Sequence, residues 1–255
     1  MAINLLADMN TRQVSALLEK TKLAFLPVSP TEVHATHLPM STDITIAVEA
    51  CKRVAKKLCD NHGIECLIAP PVNYAPADET FVFPGTTTVS YEVCEKMVEE
   101  VTSCLVHWGF THVILISNHG AAAATQALLD AADAINKKFP QAHVMMSNWI
   151  FGADVFPVMH CQHPEWDIHA GELETAMMMV TEPEHVDLEA MKELEPNWSA
   201  EHFEESLKAG MNFVELGARL AYLGDPRIAS PETGEKIYDI KTDYVVKEAL
   251  ELLQI

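Results

Sequence analysis

Positive charge is scarce in this chain: its 255 residues hold 17 Lys and Arg against 37 Asp and Glu, a formal net charge of -20. Nucleic acids and anionic membranes are gripped by basic surfaces that displace counterions, so the balance argues against partners of either kind. Long apolar runs are missing too. Stretches such as Val113-Ile114-Leu115-Ile116 fall far below the roughly 20 residues of a membrane helix. The first residues, Met1 to Asp8, lack the basic start and small-residue cleavage site of a secretory signal, and a cytoplasmic location is expected. Cys51, Cys59, Cys66, Cys94, Cys104 and Cys161 include no Cys-x-x-Cys pair. They read as buried thiols of a reducing compartment. Neither a Gly-x-Gly-x-x-Gly turn nor a lysine-bearing phosphate loop occurs, which argues against nucleotide binding.

With 49% hydrophobic residues the chain can build one large core, and no repeat, low-complexity tract or linker divides it. A single domain over 1–255 is expected. Short β-like runs alternate with helical faces, the pattern of an α/β fold with a central, mostly parallel sheet flanked by helices. Strands are predicted at 23–28, 66–69, 112–117 and 143–146. Helices are predicted from about Asp43, over 90–108 and 121–138, from Gly171, over about 199–209, and over 238–253. Ser41, Thr42 and Asp43 offer an N-cap for the first of these. The long loop 72–88 and the irregular stretch 148–170 are placed over a functional site.

Glu32-Val33-His34 with Asp43, and Ser117-Asn118-His119-Gly120, look like two halves of one metal site. Glu32 and His34 sit two apart on an extended loop, so both side chains can point the same way. Asp43 opens the next helix, and His119 lies just past a central strand, where an open α/β sheet places its ligand crevice. Carboxylates and imidazoles gathered this way can hold one or two divalent ions. A third candidate is Trp166-Asp167-Ile168-His169-Ala170-Gly171-Glu172-Leu173-Glu174. Its His169 and Glu172 suit either metal binding or proton transfer.

These stretches resemble the creatininase, or creatinine amidohydrolase, family. Thr31 to Asp43 follows that family's first motif, glutamate-x-histidine-glycine-x-histidine-leucine-proline-x-x-threonine-aspartate, with Ala35 in place of the glycine. Phe83-Pro84-Gly85-Thr86 resembles its Pro-Gly-Thr loop, and 117–120 its asparagine-glycine-histidine-glycine turn. Further matches are His169 to Thr175 and Gly224-Asp225-Pro226 with Ala229, Glu232 and Gly234.

The resemblance implies an α/β hydrolase, often hexameric, with two divalent ions (Zn, Mn or Fe) per chain. Glu32, Asp43 and His119 would hold one ion, and Asp43 would bridge to a second held by His34. In creatininase proper a glutamate two residues after the mid-chain histidine completes the second site. Ala121 stands there, and the role falls to Glu172. His169 matches the proton-handling residue, while Trp166, Asp167 and Thr86 take the substrate-binding positions.

The implied chemistry is attack by a metal-bridged hydroxide on the carbonyl of a small cyclic substrate, with C–N cleavage in a cyclic amide or formamide. The alternatives are C–C cleavage of a cyclic keto-polyol such as an oxidised inositol, and a metal-binding protein without catalysis. The partners expected are a small-molecule substrate and other copies of the chain.

Overall fold

A computed structural model describes residues 3–203, 205 and 210–255. Strands β1 (Asn4–Leu5), β2 (Leu23–Pro27), β3 (Leu67–Ile68), β4 (His112–Ile116) and β5 (His143–Met146) form one sheet, parallel throughout, in the order β1-β3-β2-β4-β5. The helices are α1 (Thr11–Leu18), α2 (Thr42–His62), α3 (Tyr91–Trp108), α4 (Ala122–Lys138), α5 (Glu172–Thr181), α6 (Leu188–Lys192) and α7 (Pro231–Leu252).

Every residue of β2 is buried, and alternate side chains enter different layers, as the two-residue period of a strand requires. Leu23 and Phe25 pack with α2, α5 and α7, whereas Ala24 and Leu26 pack with α1, α3 and α4. Burial on both faces explains why the central strands read as continuous apolar runs. The result is a single α/β domain of three layers.

From β2 the chain passes through α2 to β3 on one side, and from β4 through α4 to β5 on the other. The carboxyl ends of β2 and β4 therefore flank a crevice at a topological switch point. Ser29 and Ser117 face each other there, their hydroxyls 3.4 Å apart.

Several boundaries differ from the sequence expectation. The last helix starts at Pro231, where proline suits the first helical position and the Ser230 side chain accepts from Thr233 N–H. Of the helix expected over 199–209, a 3-10 turn, Ser199–His202, is seen. Residues 204 and 206–209 lie outside the described ones. Cys51, Cys66, Cys94 and Cys161 are buried as expected, but Cys59 is half-buried and Cys104 exposed. No helix among the described residues is long and apolar enough to cross a membrane.

Candidate metal centre

The segment after β2 folds back on itself. Glu32 N–H bonds the carbonyl of Met40 at 3.0 Å, and His34 and Leu38 form an antiparallel bridge. Ala35 turns the chain between them in the left-handed region, at φ 55°. This hairpin carries Glu32 and His34 toward the first turn of α2. Ser41 occupies the N-cap position there without a side-chain hydrogen bond. Asp43 does not cap its helix. It is buried in the crevice between two imidazoles.

His119 Nε2 lies 2.9 Å from the carbonyl oxygen of Pro76. A carbonyl only accepts, so Nε2 carries the hydrogen and Nδ1 presents a lone pair. That nitrogen sits 2.8 Å from Glu32 Oε2 and 3.3 Å from Asp43 Oδ2. His34 repeats the arrangement with its nitrogens exchanged. Its Nδ1 donates to Glu32 O at 3.0 Å, and its Nε2 faces Asp43 Oδ1 at 3.4 Å and Glu174 Oε2 at 3.5 Å. Backbone carbonyls thus fix both tautomers, a usual arrangement around metal-binding histidines.

Lone pairs aimed at carboxylate oxygens repel unless a cation lies between them. Glu32 Oε2, Asp43 Oδ2 and His34 Nε2 are buried without a hydrogen-bond partner. Among the described residues, no lysine or arginine pairs with Glu32, Asp43 or Glu174. Without metal a proton fills the gap. Burial opposes charge on both imidazoles, yet Asp43 with Glu174, and Glu32 with Asp43, hold His34 and His119 well above the ordinary histidine pKa. Glu32–Asp43–His119 and His34–Asp43–Glu174 each bring one donor atom per residue within 4.8 Å of one another. Oxygen and imidazole donors in sets of three fit divalent zinc, manganese or iron.

His169 lies against this cluster, its ring stacked on His34 at 4.2 Å and its Nε2 2.8 Å from Val33 O. Phe213 meets it edge-on at 5.0 Å.

The creatininase family profile, described as creatinine amidohydrolase, matches residues 7–249. The chain belongs to the creatininase family. Like its members, it is a metal-dependent hydrolase. It is 28% identical over 222 residues to the mycofactocin precursor peptide peptidase of Mycolicibacterium smegmatis, covering 85% of this chain and 79% of that protein. With the creatinine amidohydrolase of Pseudomonas putida it shares 27% over 187 residues, 67% of this chain and 68% of the relative. A solved creatininase structure designated Mn superposes with a TM-score of 0.80 at 19% identity, covering 98% of both chains.

Within this creatininase fold, Glu32, His34, Asp43 and His119 converge, with Glu174 as the fifth member. The structure corrects the expectation for Glu172. Successive residues of a helix are turned by 100°, so side chains two apart point to nearly opposite sides. Glu174 faces the crevice, where its Oε2 accepts Ala170 N–H at 2.7 Å. Glu172 faces away, and its carboxylate accepts the backbone N–H groups of His160 and Cys161 at 2.8–2.9 Å.

The three expected substrate positions are also occupied with structural work. Asp167 accepts N–H groups from Glu172, Leu173 and Asp225 at 2.8, 3.0 and 3.3 Å. Burial nevertheless pushes its pKa up to about 7. It lies so close beneath Gly171 and Gly224 that a Cβ on either would come within 2.3 Å of it. Thr86 Oγ1 accepts Val33 N–H at 3.0 Å and adjoins Thr80, which in turn donates to Glu32 Oε1. Trp166 stacks on His163 at 4.2 Å. Sequence reasoning placed Asn118 in the motif but gave it no role; its Nδ2 donates to Glu174 Oε1 at 2.9 Å and to Asp43 Oδ1 at 3.3 Å.

Proposed function

We propose that this creatininase-family hydrolase cleaves a C–N bond in a small amide, a cyclic amide or formamide, using two divalent ions that share Asp43. The observation that carries the reading is the pair of imidazole nitrogens that face carboxylate oxygens on either side of Asp43, with Glu32 Oε2, Asp43 Oδ2 and His34 Nε2 buried without a hydrogen-bond partner. Glu32, Asp43 and His119 would hold one ion, and His34, Asp43 and Glu174 the other. Bound there, the ions supply Lewis acidity, acidifying a water and polarising a carbonyl.

The remaining chemistry belongs to side chains. With Nε2–H given to Val33 O, His169 keeps a lone pair on Nδ1. Burial, and His34 beside it, lower its pKa below the usual histidine value, so it is neutral and ready to accept a proton at Nδ1. It takes one from the attacking water and returns it to the departing nitrogen. Phe213 packs with Phe203, Phe83 and Trp166 on this side and keeps water from the reacting groups.

Two features favour a small amide. The names of the two sequence relatives described above denote amide hydrolysis. The cluster itself is nearly closed, with Glu32, His34, Asp43, His119, His169 and Glu174 all buried. We place the protein in the cytoplasm as a homo-oligomer, loaded with zinc, manganese or iron.

Metal analysis after reconstitution with each ion tests the centre: about two equivalents per chain are expected, and less than half an equivalent overturns it. Incubation with creatinine, formamides, dihydropyrimidine-like rings, short peptides and inososes tests the bond. Release of an amine or opened amide supports the reading, whereas turnover of inososes alone replaces it with C–C hydrolysis.

A further inference from the structure

Helix α7 buries a lysine. Lys241 is 2% exposed, and among the described residues it has no carboxylate partner. Its Nζ donates instead to two consecutive backbone carbonyls, Trp149 O at 2.7 Å and Ile150 O at 2.9 Å, and lies 5.2 Å from the Trp149 ring centroid. An ammonium group buried with only neutral acceptors is costly. Burial drags its pKa down to about 8, with Glu174 pulling the other way.

What the lysine holds explains its presence. Lys241, Tyr244 and Glu248 are spaced three and seven residues along α7 and so share one stripe. All three grip the segment 147–152. Glu248 accepts from Ser147 Oγ and, at 3.1 Å, from Asn148 N–H. The Tyr244 ring fills the space beside Gly152, where a Cβ would come within 2.3 Å of it.

At the centre of the segment the Trp149 indole, 1% exposed, donates Nε1–H to Asn118 Oδ1 at 3.0 Å. That bond settles which way the Asn118 amide points, because an indole only donates and carboxylates only accept. Its Nδ2 is thereby committed to Glu174 Oε1 and Asp43 Oδ1, which leaves Glu174 Oε2 turned toward His34 Nε2. Aligned on His119, Asn118 stands where the family motif carries glycine, so the relay is a departure of this chain from that motif.

We propose that Lys241 is a positioning residue for the carboxylates of the second ion: by pinning the backbone at Trp149 and Ile150 it locks the indole onto Asn118, and Asn118 in turn orients Glu174 and Asp43. The inference rests on the reading that His34, Asp43 and Glu174 hold an ion. It adds a control point in the C-terminal helix, two residues removed from any ligand.

Three variants test it: Lys241→Met, Lys241→Arg and Trp149→Phe, the last removing the indole N–H while keeping an aromatic ring. In metal-free protein the Trp149 indole N–H resonance, assigned by its loss in Trp149→Phe, is expected to shift in Lys241→Met and to return toward its wild-type position in Lys241→Arg. In chelator competition, Lys241→Met and Trp149→Phe are expected to weaken the ion at His34, Asp43 and Glu174 by about 10–100-fold, the usual effect of losing a group that orients a ligand, and to weaken the other, which shares only Asp43, by less.

A Lys241→Met protein with an unmoved indole resonance and two wild-type affinities overturns the proposal. Should that variant fail to fold, Trp149→Phe decides alone, and wild-type affinity at both sites is the overturning result. Wild-type protein that binds fewer than two ions defeats the two-ion reading instead, and the indole resonance then still decides whether Lys241 sets the relay.

Discussion

Glu32, His34, Asp43 and His119 reach the crevice from the loop after β2, the start of α2 and the loop after β4, while His169 reaches it from the end of an irregular stretch and Glu174 from the first turn of α5. The first group stands at the switch point, on the loops that follow β2 and β4 and in the first turn of α2, with its tautomers fixed by the carbonyls of Glu32 and Pro76. Of the second group, His169 stands on irregular backbone and Glu174 in the first turn of α5, which follows it. Three buried or half-buried carboxylates supply the missing partners: Glu172 for His160 and Cys161, Asp167 for Glu172, Leu173 and Asp225, and Glu248 for Asn148. The contrast teaches that acidic residues around one site divide into those turned into the crevice toward His34 and His119 and those turned away to bind backbone N–H groups. Chemistry type alone does not separate them.

Asp43 belongs to both donor groups and is the sharpest point of attack. Asp43→Asn is expected to lose both ions and to lower kcat/KM by more than about 10^3-fold, beyond the 10–100-fold typical of outer-shell partners; one ion retained in metal analysis would show that the two groups do not share it. His169→Ala is expected to keep both ions while kcat falls by about 10^2–10^3-fold, read by steady-state kinetics beside metal content. Unchanged turnover would remove His169 from proton transfer.

The two glutamates of α5 give the most direct test of the division. Glu174→Gln should lose about one ion equivalent with little change in melting temperature. Glu172→Gln should keep both ions and lose about 2 kcal/mol of stability, since the amide replaces one of the two oxygens that accept the N–H groups of His160 and Cys161 by a donor. The reverse outcome would undo the assignment.

An effect that depends on pH lies where the two sides meet. His37, on the β2 side, places Nε2 2.8 Å from Thr175 Oγ1 on α5, and burial, then His34, lower its pKa to about 4. The folded state keeps His37 neutral while the unfolded chain takes a proton near pH 6.5. Stability is therefore lost as pH falls from about 6.5 to about 4, by about 3 kcal/mol in all. In His37→Gln this part of the stability profile is expected to flatten, measured as denaturation midpoints against pH.

Much of this architecture is legible in the sequence, for reasons of burial. β2, β4 and β5 lie within a residue or so of their predicted ranges because strands covered on both faces leave unbroken apolar runs. β1 carries two residues and no pattern to read, but α1 could have been found from Asn10 and Gln13, whose reciprocal cap is a recognisable starting signal. Glu32, His34, Asp43 and His119 were legible because strand ends and motif spacing place them. Glu174 was not, because the choice between it and Glu172 depends on the residue at which α5 begins. Lys241 gives no signal at all, since a lysine among helical residues reads as solvent-facing until the helix is packed.

Three alanines, Ala35, Ala170 and Ala221, adopt left-handed backbone at φ 55°, 50° and 54°, a conformation that costs a residue with a Cβ about 1–2 kcal/mol. Ala35 N–H bonds Ala221 O, and Ala170 N–H bonds Glu174, so the tension gathers around the reacting groups rather than under the sheet. Amide hydrogen exchange should accordingly find this rim opening as one cooperative patch, well ahead of β2 and β4. A bound cation would then act as a latch, slowing exchange at all three turns together.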